Sequence, residues 1–412
     1  MRIRSIEADN FKGFSSLQLD LEGKNAVIFG ENGVGKSSVL EAINYLIWGV
    51  LFRLNNLQGT SYKSLNADLV RLGSKKLVLS MKLEFAGEEF DLEKSYEKAL
   101  PGKGTSVKEN KKHLDALVRS LSASPEDEKK PVPIFAYYGT DRSVLDIPQR
   151  VRQKHSFSKW TALERAAENA LDFRTFFEWF REQDEIESKQ IKERNDLSYR
   201  DPSLQQVKRA VAAMLDTVSD IKIELRPVRM CVVREGEEYR LDMLSDGEKC
   251  ILTLFGDIAR RLTLANPGVD DPLNGEGVVL IDELELHMHP SWQRKILTVL
   301  TQTFPNIQFI VTTHSPQILS EANESFRVFR LKKNGANDLY DTFGKSSGEI
   351  LEAFMETGER PDVIQQIIDS VRSNMDKENY SAAETKLAEL EKILSDSPEV
   401  TALRVALELA LL

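Results

Sequence analysis

Cysteine is nearly absent: the 412 residues hold only Cys231 and Cys250. Two cysteines so far apart exclude a CxxC zinc hook and a disulfide-stapled fold, and they suit a reducing compartment. Long apolar runs are missing as well. Runs such as Val278 to Ile281 and Phe309 to Val311 fall far below the roughly 20 residues a bilayer demands, and the first residues lack a signal-peptide pattern. The expectation is a cytoplasmic protein with no membrane span. Nor is positive charge in excess, since 55 Lys and Arg stand against 65 Asp and Glu for a net charge of −10. A surface uniformly built to coat nucleic acid is thereby excluded, and any such contact must be regional.

What is present falls into segments of different period. The length suggests two or three compact units. Ile3 to Asp9, Leu17 to Leu21 and the apolar Asn25 to Phe29 predict strands, the last running into a glycine-rich turn and a helix from about Gly35. Lys76 to Phe85 and Glu88 to Tyr96 tend to alternate apolar and polar residues around Ala86-Gly87, which predicts a β-hairpin. Pro101 to Lys130 is rich in Lys, Glu, Ser and Gly and reads as a mobile, partly helical excursion. After a strand at Val132 to Tyr137, Ser158 to Asp216 has helical spacing, including Phe173, Phe176, Phe177 and Phe180, and Pro202 with the polar run before it breaks this stretch into two helices. Strands return at Ile221 to Leu225, Met230 to Arg234 and Tyr239 to Asp242. Helix and strand then alternate from Asp246 to about Arg330, the pattern of a mainly parallel sheet with helices on its faces. The expected fold class is α/β, divided as an N-terminal lobe over 1–140, a helical insertion or short arm over 141–218, a C-terminal lobe over 219–345 and a helical tail over 346–412.

The first chemical motif is Gly30-Glu31-Asn32-Gly33-Val34-Gly35-Lys36-Ser37, which matches GxxxxGK[ST] and lies between an apolar strand and a helix. Its glycines let backbone N–H groups turn onto a phosphate at a helix N-terminus, Lys36 neutralises phosphate charge, Ser37 is suited to ligate Mg²⁺, and Ser38 follows in the first turn. A glycine-rich loop without a ligand is the bland alternative, and the flanking strand and helix weigh against it. Nucleotide binding follows, with ATP and Mg²⁺ as the expected ligands. Such a loop also serves kinases and GTPases, so the class has to come from elsewhere in the chain.

Val278 to Ile281 ends in Asp282-Glu283. Asp282 is placed to hold the Mg²⁺ shell, and Glu283 can orient or deprotonate an attacking water. Alone, this pair also fits a plain buried strand before a surface turn. Leu244-Ser245-Asp246-Gly247-Glu248-Lys249 resembles the signature of ABC ATPases, where such a segment reaches the γ-phosphate bound by a partner subunit, with Ser245, Gly247 and Glu248 as the contacting candidates. A helix N-cap at Ser245 with Glu248 closing a capping box accounts for the same residues equally well. Phe309-Ile-Val-Thr-Thr313-His314-Ser-Pro316 is another apolar strand ending in a polar turn, and His314 resembles the switch histidine of that class. A neutral imidazole there can donate a hydrogen bond to a γ-phosphate. Four motifs in this order, each on the expected element, argue jointly for an ATPase.

Glu283-Leu-Glu-Leu-His287-Met-His289-Pro290 resembles the ELHLHP segment of RecF-like and overcoming-lysogenization-defect ATPases. His287 and His289 have a spacing that could hold a metal, but no third ligand is evident, and a dimer-contact turn is the favoured reading. The opening Ile6 to Phe14 is similar to the start of RecF and SMC heads, which makes Lys12 a candidate base or phosphate contact. No glutamine stands in an obvious Q-loop; the corresponding segment is Ala136 to Arg142. The Tyr137-Tyr-Gly-Thr-Asp-Arg142 element, the aromatic helix and the short helical tail look like the PtuA-like ATPases of Septu-type bacterial defence systems. The resemblance implies an ABC-type head, a head-to-tail homodimer or higher oligomer closing on two ATPs, and a separately encoded HNH nuclease partner of the PtuB-like kind. No Toprim or HNH motif is present in the chain itself.

The tail, with apolar residues three and four apart from Glu378 to Leu390 and a new helix at Ser397-Pro398, reads either as a hairpin capping the sheet or as a docking surface for that nuclease. Arg142, Arg150, Arg152, Lys154 and Lys159 against the single Asp146 form a modest basic patch that suits DNA phosphates or a solvated helix face. Two rival functions remain open: a RecF-like repair ATPase that clamps DNA, and a non-hydrolysing scaffold held together by ATP.

Overall fold

A computed structural model describes residues 1–54, 63–99, 105–122, 130–140, 157–168, 173–225, 228–355, 360–395 and 397–411. Strand β1 (Arg2–Asp9) pairs antiparallel with β2 (Ser16–Asp20). Strand β3 (Asn25–Phe29) is buried at every position, as expected for a strand covered on both faces, and leads through the glycine loop into helix α1 (Lys36–Arg53). Strands β4 (Lys76–Phe85) and β5 (Glu88–Glu97) form a ten-rung hairpin. Its turn is Ala86 and Gly87, both left-handed at φ 52° and 79°, the twist that two-residue hairpins favour.

The segment read as a mobile, partly helical excursion does carry a helix where it is described, together with a strand that was not expected. Its residues form strand β6 (Ser106–Glu109) on the edge of β5 and helix α2 (Lys111–Ser122), which buries Leu114 and Leu117. Backbone pairing to an existing edge holds β6 although its side chains are not buried, so no apolar alternation announced it. The resulting antiparallel sheet runs β2-β1-β4-β5-β6.

After β7 (Ile134–Tyr138) come α3 (Phe173–Arg194) and α4 (Pro202–Met214). The break between the helices falls where Pro202 was expected to make one: Asp201 caps α4 by accepting from the N–H groups of Ser203 and Leu204, and the proline opens the first turn. The four phenylalanines lie on one buried face of α3. A small antiparallel sheet of β8 (Val218–Leu225), β9 (Val228–Arg234) and β10 (Glu237–Arg240) precedes the long, largely buried helix α5 (Asp246–Ala265).

The remainder of this unit is β11 (Gly277–Ile281), α6 (Pro290–Gln293), α7 (Ile296–Thr303), β12 (Ile307–Thr312), α8 (Pro316–Ser320), β13 (Phe326–Leu331) and β14 (Asn337–Tyr340). The central sheet has the order β14-β13-β3-β12-β11-β7, parallel except for the edge strand β14. The fold is therefore α/β, as anticipated, with an antiparallel subdomain. Residues 1–345 form one compact unit, so the expected insertion and the two lobes are parts of a single body in which α3 and α4 both pack against α5.

Ser346–Leu412 is a second compact unit, comprising α9 (Ser347–Ala353), α10 (Asp362–Asp376), α11 (Tyr380–Ile393) and α12 (Pro398–Ala410). Ile368 and Val371 of α10, Leu387 and Leu390 of α11, and Val400 and Leu407 of α12 share one core. The anticipated hairpin is α11 and α12, to which α10 adds a third helix. Among the described residues no helix is long and apolar enough to cross a membrane.

Candidate nucleotide site

Parallel pairing sets β3, β12 and β11 side by side, with Thr312 opposite Ile28 and Ile281 opposite Val311. Their carboxyl ends therefore emerge together, at the edge where open α/β sheets bind ligands. From β3 comes the glycine loop. Gly30 has φ 150°, and a Cβ there would lie 2.4 Å from the Leu331 carbonyl oxygen; Gly35 has φ 105°, and its Cβ would lie 2.6 Å from the Phe14 ring. Only glycine fits either place. Lys36, at the start of α1, is buried and donates from Nζ to the carbonyl oxygens of Gly30 at 3.0 Å and Glu31 at 2.9 Å. Burial lowers its pKa below the ordinary lysine value, while the charges of Asp282, Glu283 and Glu285 act in the opposite direction.

From β11 come the two acids. The Asp282 N–H donates to the Tyr138 carbonyl at 2.8 Å, prolonging the β7–β11 pairing, and its buried carboxylate accepts from the Thr312 hydroxyl at 2.5 Å. That same hydroxyl accepts from the Glu283 N–H at 2.8 Å. Glu283 itself is left-handed, φ 47°, a backbone conformation that costs a non-glycine residue energy and tends to collect at functional sites.

From β12 comes His314, whose preceding residue is tied to β3 by a 3.1 Å bond from the Thr313 N–H to the Ile28 carbonyl. Burial and the nearby Lys36 charge push the imidazole pKa below the ordinary histidine value, against Glu285, Glu283 and Asp282. The neutral form is thus favoured near neutral pH. Phosphate-binding loop, buried cation, paired acids and neutral imidazole converge on one edge, an arrangement able to bind a nucleoside triphosphate and direct a water at it.

Comparison with known proteins agrees with that chemistry. The family described as "AAA domain, putative AbiEii toxin, Type IV TA system" matches residues 26–320. The chain belongs to this family. It is an ATPase, similar to the "Retron Vc95 probable ATPase" of Vibrio cholerae serotype O1 biovar El Tor, with 30% identity over 88% of this chain and 80% of the relative. It is also similar to the Septu protein PtuA of Bacillus thuringiensis, 25% identical over 92% of this chain and 90% of that protein. Among solved structures, the SMC head domain from Thermotoga maritima aligns at 14% identity and a TM-score of 0.47, covering 83% of this chain and 99% of that one.

The remaining expected residues of this ATPase fall into place unevenly. Ser245 does cap α5: its N–H and hydroxyl each donate to the Glu248 carboxylate at 2.8 Å, and the Glu248 N–H returns a longer bond to Ser245 Oγ. Arg234 also pairs with Glu248. The Glu248 carboxylate is thus engaged within the chain, where it closes the capping box at the start of α5. Gly247 packs on the acidic turn, where a Cβ would meet the His287 carbonyl oxygen at 2.3 Å.

Lys12 forms an ion pair with Glu41 of α1, which fixes it beside the helix that opens at Lys36. His289 is the N-cap of α6, its Nδ1 accepting from the Ser291 N–H, and among the described residues no group of three or more His, Cys, Asp or Glu could hold a metal. Asp141 and Arg142 of the Tyr-Tyr-Gly-Thr-Asp-Arg element lie outside the described residues, as do Asp146, Arg150, Arg152 and Lys154 of the basic patch.

Sequence reasoning missed two sets of residues. Thr312 and Glu285 stitch the acidic turn to the histidine turn; the doublet Thr312-Thr313 and the alternation Glu283-Leu-Glu285 were their only signals. The second set is a buried charge cluster on α5. Asp257 accepts from the Tyr138 hydroxyl at 2.8 Å, from Arg260 at 2.6 and 3.0 Å and from Arg261 at 2.7 Å, and Arg261 also donates to the Ala162 and Glu164 carbonyls. Burial opposes ionisation of Asp257, yet the two guanidiniums hold its carboxyl well below the usual range.

Proposed function

We propose that this ATPase is the switch subunit of a bacterial anti-phage defence complex, in which two copies close head to tail on two ATPs and control a separately encoded HNH nuclease. The observation that carries the reading is the convergence of the Gly30–Ser38 loop, Asp282-Glu283 and His314 at the ends of three adjacent parallel strands. The likeness to a retron ATPase and to a Septu protein supports the defence assignment.

The backbone N–H groups of Gly30 to Ser38 cradle the phosphates at the start of α1, and the Lys36 ammonium leaves its two carbonyl partners to neutralise their charge. Ser37 and Asp282 are the residues that would hold Mg²⁺, which when bound neutralises charge across the phosphates. Glu283 orients the attacking water and takes its proton, and the neutral His314 donates a hydrogen bond to the terminal phosphate. The Ser245–Gly247 start of α5 in one copy faces the loop of the other, completing each site with donors at a helix N-terminus. Lys12, tethered to Glu41, lies at the nucleotide's periphery.

The test is light scattering after size exclusion on the chain co-expressed with its genomic neighbours, with and without ATP and Mg²⁺, together with phosphate release. A stable complex containing an HNH protein, with turnover, supports the reading. An ATP-dependent homodimer that recruits duplex DNA and no nuclease transfers it to a RecF-like clamp. Assembly without turnover transfers it to a scaffold.

A further inference from the structure

We infer that Glu285 is a positioning residue for hydrolysis, one that locks the histidine turn onto the acidic turn. The inference rests on the roles of Glu283 and His314 given above. Its two carboxylate oxygens are divided between two donors: Oε2 accepts from the Thr313 hydroxyl at 2.7 Å, and Oε1 from the His314 backbone N–H at 2.5 Å.

Glu285 is the middle of a continuous row of bonds between the two turns. On one side the Thr312 hydroxyl bridges Asp282 and the Glu283 N–H. On the other, the Ser315 hydroxyl donates to Gln293 Oε1 at 2.6 Å, and Gln293 Nε2 donates to the Met288 carbonyl at 2.9 Å. Four successive residues, 312 to 315, are thereby fastened to the segment 282–293. Two of the four bear on Glu285 alone.

The physical consequence follows from what the turn must hold. Glu283 and His314 come from different strands, and the backbone joins their turns through the Leu284 N–H to Thr312 carbonyl bond at 2.9 Å, two residues short of His314. Beyond that bond, the placement of residues 313 and 314 against the acidic turn rests on the Glu285 carboxylate, and catalytic geometry is demanding: a misplacement of about 1 Å can cost on the order of 100-fold in rate. A carboxylate at 285 adds an electrostatic effect, because its charge, with those of Glu283 and Asp282, raises the proton affinity of the His314 imidazole against burial and the Lys36 charge.

Two substitutions separate geometry from charge. Glu285→Gln keeps an acceptor for the His314 N–H, and its NH₂ can donate to the Thr313 hydroxyl, which accepts as readily as it donates. Glu285→Ala removes both bonds. The experiment measures kcat, KM, the affinity for a fluorescent ATP analogue and the pH profile of kcat for the full chain and both variants, with Thr313→Val as a milder cut of one bond.

Glu285→Ala is expected to lose about 10- to 100-fold in kcat while nucleotide affinity stays within about twofold, and Glu285→Gln is expected to recover most of that loss. With the charge gone, the acid limb set by His314 should move to lower pH in Glu285→Gln, a change that a merely structural role would not produce. Wild-type kcat in Glu285→Ala overturns the inference. So does equal loss in the Ala and Gln variants with an unmoved acid limb, or a fall in nucleotide affinity matching the fall in kcat/KM. If Glu285→Ala does not fold, the Gln and Thr313→Val variants decide, since wild-type kcat with an unmoved acid limb in both also overturns it. Absence of turnover in the unaltered chain would instead remove the catalytic reading on which the inference depends.

Discussion

Gly247→Ala tests whether the start of α5 and the acidic turn move as one. A Cβ at 247 would stand 2.3 Å from the His287 carbonyl oxygen and 3.1 Å from a Trp292 ring carbon, where ordinary contact begins at 3.4 Å. The backbone at 287 must therefore retreat by about 1 Å, with an overpacking cost of about 1–3 kcal/mol. His287 has little freedom to absorb the push, because it is itself left-handed at φ 63° and is followed two residues later by the cap of α6.

The displacement reaches Glu283 four residues away, and kcat should fall about 10- to 100-fold, while the Gly30–Ser38 loop, built on another strand, keeps its nucleotide affinity. Phosphate release at saturating ATP, binding of a fluorescent nucleotide and thermal melting measure the three effects. Gly49→Ala is the control. Within α1 its Cβ would meet nothing nearer than Leu114 Cδ2 at 3.7 Å, so the gain in helix propensity of about 0.5–1 kcal/mol should raise the melting temperature. The same chemical change should thus move stability in opposite directions at the two positions. If Gly247→Ala hydrolyses ATP at the wild-type rate and melts unchanged, the proposed contact between signature and acidic turn does not transmit anything.

Three further outcomes are expected. Glu283→Gln should slow hydrolysis by about 10²- to 10⁴-fold by removing the base and prolong the ATP-bound dimer in size exclusion; unchanged turnover would assign the base elsewhere. Asp257→Ala strands Arg260 and Arg261 as unpaired buried charges and should cost about 3–5 kcal/mol of stability, whereas Tyr138→Phe, which removes one donor to a carboxylate that keeps two guanidiniums, should cost about 1 kcal/mol; equal shifts in denaturant midpoint would contradict the cluster's energetics. For His314, the folded-state pKa lies below the unfolded value. The unfolded chain therefore takes up the proton first as pH falls, so stability is unaffected by this group above the ordinary histidine pKa and declines below it. Turnover should persist through neutral pH and fall only on the acid side of that value, and His314→Ala should lack this limb.

What the sequence made legible was local. A strand with no polar break, a glycine loop and a lysine are contiguous from Asn25 to Ser37, so the motif can be read directly, although the atoms that demand glycine at 30 and 35 belong to Leu331 and Phe14. The turn at Ala86-Gly87 and the proline-opened helix at Pro202 can be read directly too. Ser245 was legible in kind but open in use, because a capping box and a phosphate contact draw on the same residue types. The structure shows the box closed, with Arg234 on Glu248, which leaves Ser245 and Gly247 at the helix start. Strand β6 left no trace in its side-chain pattern, since a backbone ladder on an edge asks nothing of it.

The least legible feature is the one that makes a site out of the motifs. Nothing between Phe29 and Ile307 announces that β3 and β12 are neighbours, or that β11 lies on the far side of β12. That order is a property of the whole sheet, and the side chains exploiting it are common residues with no motif of their own. Thr312 touches both Asp282 and the backbone of Glu283, Glu285 touches both Thr313 and His314, and the 287 carbonyl abuts Gly247. Each motif supplies a reactive group, and each of these contacts sets the distance between two of them. Because parallel strands deliver their ends to one edge without specifying the turns beyond it, the chemistry of the loops depends on such cross-bonds. Substitutions at Thr312, Glu285 and Gly247 should therefore impair kcat more than nucleotide binding, the opposite of substitutions at Gly30, Gly35 or Lys36.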